Sequence, residues 1–245
     1  MLEKEEGVHE FQLELIGKRE VARDTFELSF FKPEGFWYKA GQSMKLHSPK
    51  TGERKTMSFV SAPRDEVLRF AMRMRDSEFK KAVCGVEEGT IFTLDGPRGK
   101  FVLDESDDSP LVFIAGGIGS TPLLSMIRDL HYKGDRQSVI LFYSNREEGD
   151  IAFRSELEEL QKESKHLRII YTLTKENELP EDWKGEKGYI NGKMIEKYVD
   201  LLLFPRFYVA GPPVMVEAMD ELLQRMGIEE ESIHLRRFPG YGRAL

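Results

Sequence analysis

The stretch LVFIAGGIGSTPLLSMI, Leu111 to Ile127, runs from an unbroken apolar segment through three glycines into residues with helical apolar spacing. An apolar run without polar alternation marks a strand covered on both faces, the pattern of a parallel sheet. Gly116, Gly117 and Gly119 leave backbone N–H groups bare at the end of that strand, where a helix start attracts phosphate. Ser120 and Thr121 are candidate helix caps, and Pro122 suits the first turn because its missing N–H would have no intrahelical partner. A lone glycine cluster is also compatible with nothing more than a tight strand-to-helix turn.

Downstream, VAGPPVMVEAM from Val209 to Met219 repeats the arrangement, with Gly211 and Pro212 between a strand end and a helix. Ligands of open α/β sheets bind at the carboxyl ends of the strands, so two such turns on one rim predict a shared crevice. Strands are expected at 111–115, 139–143, 167–173 and 206–209, and helices at 122–130, 151–161, 193–203 and 214–226, a doubly wound parallel α/β domain. Ser144, Asn145 and Arg146 follow the second of these strands, where an adenosine ribose is read. Ser144 and Arg146 can hydrogen-bond the 2′-phosphate of NADP, but Glu147 and Glu148 can neutralise Arg146, so both nucleotides stay open.

Upstream, short strands are expected at 11–16, 25–30, 43–47, 57–61, 68–74 and 90–94, with period-two alternation clearest in Phe26, Leu28 and Phe30. With one short helix at 78–83, this predicts a small antiparallel β-barrel. The polar stretch DESDDSP, Asp104 to Pro110, separates the two patterns and places the expected domains at 1–106 and 107–245. In RMRDSEFKK, the backbone N–H groups of Ser77, Glu78 and Phe79 together with Arg73 form a candidate anion site; a plain N-cap is the alternative for Ser77, and a solvated strand residue for Arg73.

A formal net charge of −7 over 245 residues argues against nucleic acid as a partner. The single cysteine, Cys84, excludes an intrachain disulfide and a cysteine-ligated cluster within the chain, and it reads as a small buried hydrophobe. The five histidines have no ligand spacing, so no metal is expected. The charged start MLEKEEG and the lack of an apolar run of about 18 residues predict a cytoplasmic protein without membrane insertion.

AGQSMKL (Ala40–Leu46), KTMSFVS (Lys55–Ser61), RMRDSEFKKAV (Arg73–Val83), DGPRGKF (Asp95–Phe101), GGIGSTP, GPPVM and FPGY follow one another in an order that resembles the ferredoxin–NADP reductase superfamily, in the branch without a fused iron–sulfur domain. The resemblance implies FAD on the N-terminal barrel and NADPH or NADH on the C-terminal domain. It puts the family's Arg-x-Tyr-Ser flavin motif on Lys55, Thr56, Met57 and Ser58. Lys55, or neighbouring Arg54, would meet the pyrophosphate as a point charge without arginine's fork. Met57 replaces an aromatic against the isoalloxazine, and Ser58 would sit near flavin N5. Arg73, Asp76, Ser77 and Phe79 belong to the second FAD element. Thr121 would lie beside the nicotinamide, with Pro122, Gly211 and Pro212 shaping the crevice. Phe238 and Tyr241 would either cover the flavin or pack as an aromatic tail. Ala210 stands where the family often has cysteine, and Arg236 and Arg237 where it often has an acid.

The expected reaction is hydride transfer from NAD(P)H to flavin, with Ser58 and Thr121 at the reacting atoms, and electron delivery to a small redox protein or another soluble acceptor. Lys55 and Met57 also suit a reductase of free flavin. Ala210 and the basic tail also suit an electron-transfer or regulatory subunit of a larger complex.

Overall fold

A computed structural model of the chain describes residues 9–134 and 136–238. The N-terminal half contains β1 (His9–Ala22), β2 (Thr25–Phe31), β3 (Ser43–His47), β4 (Arg54–Ser58), β5 (Val67–Arg73), α1 (Glu78–Cys84) and β6 (Ile91–Arg98). The strands form one antiparallel sheet in the order β4-β3-β6-β1-β2-β5. The chain leaving β4 closes it into a barrel: Val60 N–H donates to Arg69 C=O at 2.8 Å, and Phe59 bridges Phe70. Leu15, Leu28, Phe30, Met44, Leu46, Phe70 and Phe92 fill the interior, and α1 lays Phe79 and Val83 against them.

β4 begins three residues before the expected strand and ends at Ser58. Arg54, Lys55 and Thr56 carry no apolar signal, yet the ladder to His47, Leu46 and Lys45 pairs their backbone. β1 likewise runs on through the polar Lys18, Arg19 and Glu20, because its partner β2 continues alongside.

The C-terminal half contains β7 (Leu111–Gly116), α2 (Ser120–Tyr132), β8 (Val139–Asn145), α3 (Arg154–Glu163), β9 (Leu167–Leu173), β10 (Glu186–Lys187), α4 (Gly192–Tyr198), β11 (Arg206–Gly211), α5 (Pro213–Arg225) and β12 (Ile233–Arg237). All its strands are parallel, in the order β10-β9-β8-β7-β11-β12. The chain winds outward from β7 to β10, then crosses back to β11, so the order reverses between β7 and β11. Ligands of such sheets bind at this reversal, and both glycine-bearing turns leave it.

The expected helix at 193–203 divides: α4 stops at Tyr198, and Asp200 Oδ1 accepts from Leu202 N–H at 3.0 Å to start a separate 3₁₀ turn at Leu201–Leu203. α3 starts at Arg154 because Phe153 is buried in a left-handed backbone conformation (φ 59°). The edge strands β10 and β12 went unforeseen: the first has two residues, and the second reads HLRR rather than apolar.

One continuous core joins the halves, with Ala40, Val60, Ala71 and Phe101 packed together with Phe113, Ala115, Leu123 and Met126. Around it lies a charged joint. Arg69 holds Glu27, which is 2% exposed, at 2.6 Å and Glu156 at 2.7 Å; Arg128 holds Glu156 at 2.6 Å and Asp65 at 2.9 Å. Ser125 Oγ donates to Ser61 C=O at 2.6 Å beside them. Burial would raise the Glu156 pKa, but the hydrogen bonds and charges of Arg69 and Arg128 hold it below the usual carboxylate value.

Removing the Glu156 carboxylate leaves Arg69 with Glu27 alone and Arg128 with Asp65 alone, and parts the bond between the halves. Glu156→Gln is expected to lower unfolding free energy by on the order of 2–3 kcal/mol, below the full buried-pair penalty because the side chain is 20% exposed. A depressed carboxylate pKa gives stability that is present above the unfolded value of about 4.3 and is lost as pH falls through the folded value. Urea unfolding across pH should therefore show the variant's deficit at neutrality and its convergence with the parent in acid.

Candidate active site at the meeting of two glycine turns

The β7–α2 and β11–α5 turns are packed backbone to backbone. A Cβ on Gly119 would stand 2.2 Å from Ala210 O and 2.7 Å from Gly211 Cα; one on Gly116 would meet Met215 Sδ at 2.2 Å. A Cβ on Gly211 would reach Met215 Sδ at 3.2 Å and Gly116 Cα at 3.3 Å, so these glycines permit the contact. Gly117 differs: its φ is 51° and no atom lies within 4 Å of its Cβ position. It forms an open ledge of bare backbone at the sheet reversal, the surface a phosphate needs.

Neither expected cap acts as one. Gly119 occupies the N-cap of α2 and Ser120 and Thr121 lie inside the helix. Thr121, buried, donates its hydroxyl to Ile118 C=O at 3.0 Å and so stiffens the turn. Ser120 is buried with no partner for Oγ. Pro122 is buried in the first turn of α2.

At the end of β8, Ser144 and Asn145 are buried, and both polar atoms of the Asn145 side chain lack partners. Arg146 is exposed and makes no ion pair among the described residues. The two carboxylates that could have neutralised it are engaged elsewhere. Lys175 and then Arg23 hydrogen-bond Glu147, both at 2.5 Å, and hold its carboxyl at about 2; Glu148 pairs with Arg154.

On the barrel side, Arg54 and Lys55 are exposed on β4 and make no ion pair among the described residues. Lys80 on α1 donates to Arg73 C=O at 2.5 Å. Burial, then the charge of Arg75, with smaller contributions from Lys55 and Arg73, pushes the Lys80 amine down to about 8. Lys55, Arg73 and Arg75 thus lie within electrostatic range of Lys80. Lys80 escaped the sequence reading because EFKKAV presents its lysines as the solvent face of an amphipathic helix, whereas the fold tucks this one against β5.

Arg73 is neither a solvated residue nor a free cation: Nη2 meets buried Asp150 at 2.8 Å across the two halves. Ser77 occupies the N-cap of α1 without a side-chain cap bond, and α1 has only seven residues, so these cations outweigh the helix end as an anion site. Asp76 points to solvent and pairs with Lys81 at 2.7 Å, while Phe79 is wholly buried in the barrel. Met57 is 7% exposed and packs in the barrel core opposite Met44. Ser58, 3% exposed, has a hydroxyl without a partner and pairs across the ladder with Ser43.

Phe238 packs against the core between the halves, its N–H donating to Gly211 C=O at 2.9 Å; Tyr241 lies outside the described residues. Cys84 is half-buried and burial raises its pKa, as for an unreactive thiol. A cavity of about 320 Å³ opens at the opposite rim of the parallel sheet, between Arg206, Tyr208 and His234, and another of about 250 Å³ lies between α2 and α3. Both lie away from the two glycine turns. Among the described residues no His, Cys, Asp and Glu cluster could hold a metal ion, and no helix is long and apolar enough to cross a membrane.

Residues 113–221 match the family described as the oxidoreductase NAD-binding domain. Ferredoxin–NADP reductase B of Sorangium cellulosum (strain So ce56) is 30% identical over 241 residues, covering 93% of this chain and 97% of that protein. The phenol hydroxylase P5 protein of Acinetobacter pittii (strain PHEA-2) is 30% identical over 206 residues; the match covers 82% of this chain but 58% of the P5 protein. The Amycolatopsis cytochrome P450 reductase GcoB superposes with a TM-score of 0.84 at 24% identity, over 96% of this chain and 71% of that one. A barrel followed by a doubly wound sheet, meeting at an open crevice, defines the two-domain flavin and nicotinamide reductase class. The chain belongs to the ferredoxin–NADP reductase family and is an NAD(P)H-dependent flavoprotein oxidoreductase that uses FAD.

The glycines separate two roles that stability measurements can distinguish. Gly119→Ala overlaps a fixed carbonyl and is expected to cost about 2–3 kcal/mol, whereas Gly117→Ala pays only the left-handed backbone preference, about 1 kcal/mol. Equal losses in urea unfolding would contradict the packing role.

Proposed function

We propose that the chain binds FAD with its pyrophosphate on Lys55, Arg73, Arg75 and Lys80, prefers NADPH to NADH, and passes electrons to a small redox protein in the cytoplasm. The observation that carries the reading is the exposed pair Arg54 and Lys55 on the same strand as the buried hydroxyl of Ser58, which has no partner among the described residues. A pyrophosphate would take charge-assisted hydrogen bonds from the exposed cations of β4, and a heteroaromatic ring nitrogen would satisfy the serine. The domain division falls in 99–110, between β6 and β7, in keeping with a boundary at 106/107.

Bound FAD would supply hydride acceptance at N5 and release of electrons one at a time, which no protein side chain offers. The chain's own residues orient and enclose. Ser58 holds the N5 edge by a hydrogen bond, and Met57 contributes the edge of a thioether from the core. The Gly117 ledge takes the nucleotide phosphates, while Thr121, Pro122, Gly211 and Pro212 fix the wall against which the nicotinamide lies. Phe238 closes the mouth of the crevice against water.

For the ribose, Arg146 offers a guanidinium that makes no ion pair among the described residues, two positions after Ser144, which suits a 2′-phosphate better than a free hydroxyl. The relative from Sorangium cellulosum is named for NADP and for ferredoxin, which supports both the nucleotide preference and the kind of acceptor.

Anaerobic addition of NADPH to the purified yellow protein should bleach the flavin band, with NADH slower. FAD that leaves the protein on gel filtration would favour a free-flavin reductase, and a colourless protein that does not take up FAD would overturn the reading. Arg146→Ala is expected to lower kcat/KM for NADPH about tenfold or more, one lost charged contact, while leaving NADH nearly unchanged.

The lowered Lys80 pKa has a sign that can be tested. Only its charged form attracts pyrophosphate, so FAD affinity should fall as pH rises through about 8. Fluorescence titration of the apoprotein at pH 7 and pH 9 should show the weakening, and Lys80→Met should flatten it.

A further inference from the structure

The reading of FAD in the barrel leaves Arg236 without a part, and its surroundings give it one. β12 runs parallel to β11 with Arg236 opposite Ala210 and Arg237 opposite Gly211. Side chains alternate along the strand: His234 stacks on Tyr208, with ring centroids 4.4 Å apart, and Arg237 turns to Glu217 of α5 at 3.8 Å. Arg236 shares the face of His234 and reaches out of the parallel sheet to the barrel. Its Nη2 donates to Ser43 Oγ at 3.1 Å, and Nη1 lies 3.6 Å from the Cβ position of Gly99.

Ser43 is the direct ladder partner of Ser58, so the two hydroxyls share one face of the β3–β4 pair, with Cβ atoms about 4.5–5.5 Å apart. Ser43 Oγ also donates to Arg98 C=O at 3.3 Å, which fixes it between the guanidinium and the barrel. No carboxylate answers the charge. Arg236 makes no ion pair among the described residues. Burial lowers the Arg236 pKa with no opposing attraction, in contrast to Arg69 and Arg128.

We propose that Arg236 is a positioning residue that holds a fixed positive charge at the flavin site, anchored one serine away from Ser58, and that it favours the reduced form of bound FAD. Hydride transfer moves two electrons and one proton from NAD(P)H, leaves NAD(P)⁺, and adds one negative charge to the ring system. A cation already in place, and without a counter-charge of its own, stabilises that product without reorganisation. The inference rests on the proposed FAD site.

The test is the midpoint potential of the bound FAD, read by equilibration with a reference dye. Arg236→Gln should shift it negative by about 30 mV or more, equivalent to a tenfold change in the two-electron equilibrium constant. Arg236→Lys should restore most of the shift. Ser43→Ala, which releases the anchor, should give a smaller shift of the same sign, and Arg237→Gln should give none. An unchanged potential in Arg236→Gln with FAD bound overturns the inference, as does an equal shift in Arg237→Gln. Should Arg236→Gln fail to fold or to hold FAD, an unchanged potential in Ser43→Ala overturns it instead. A parent protein that takes up no FAD overturns the flavin reading itself, and this inference with it.

Discussion

The position of the crevice depends on the shared grip of Arg69 and Arg128 on Glu156. Arg69 belongs to β5 of the barrel, and Arg128 and Glu156 belong to α2 and α3 of the parallel domain. Each guanidinium also holds a carboxylate from the barrel side, Glu27 or Asp65, so neither half can shift without parting charges that are largely out of water. Hydride transfer is sensitive to displacements of about 1 Å, and a reductase whose two cofactors sit on different domains needs such a joint to hold them in register.

With that joint in place, the chemistry at the crevice is done by backbone. Gly116, Gly119 and Gly211 let the two turns touch, and Gly117 leaves its ledge open. Buried side chains nearby spend their hydrogen bonds on the turn, as Thr121 does, or keep them unspent, as Ser58 and Asn145 do. Buried polar groups without partners are uncommon in a finished core, which sets Ser58 and Asn145 apart from their neighbours.

Charge follows the same division of labour. The chain is acidic overall, yet some cations stand apart from its acids among the described residues: Arg54 and Lys55 on β4, Arg146 at the end of β8, and Arg236 beside Ser43. Some acids are matched by more than one cation, as when Glu147 is held between Arg23 and Lys175. Net charge thus says little about ligands, because the local balance of a few residues sets the potential that a phosphate meets.

By itself the sequence determined the two architectures and their order, because period-two alternation and continuous apolar runs are local signals of how many strand faces are covered. It also determined the glycine turns, since only glycine allows such close backbone contact. Tertiary structure decided what depends on residues distant in the chain. It decided that polar Arg54–Thr56 and HLRR are strands, because partner ladders supply their hydrogen bonds. It decided that Arg73 pairs with Asp150, that Lys80 folds back onto β5, and that Arg146 and Arg236 stay unpaired among the described residues. Whether a charge is free or neutralised is a question of distance in space, and a one-dimensional sequence carries no such distances.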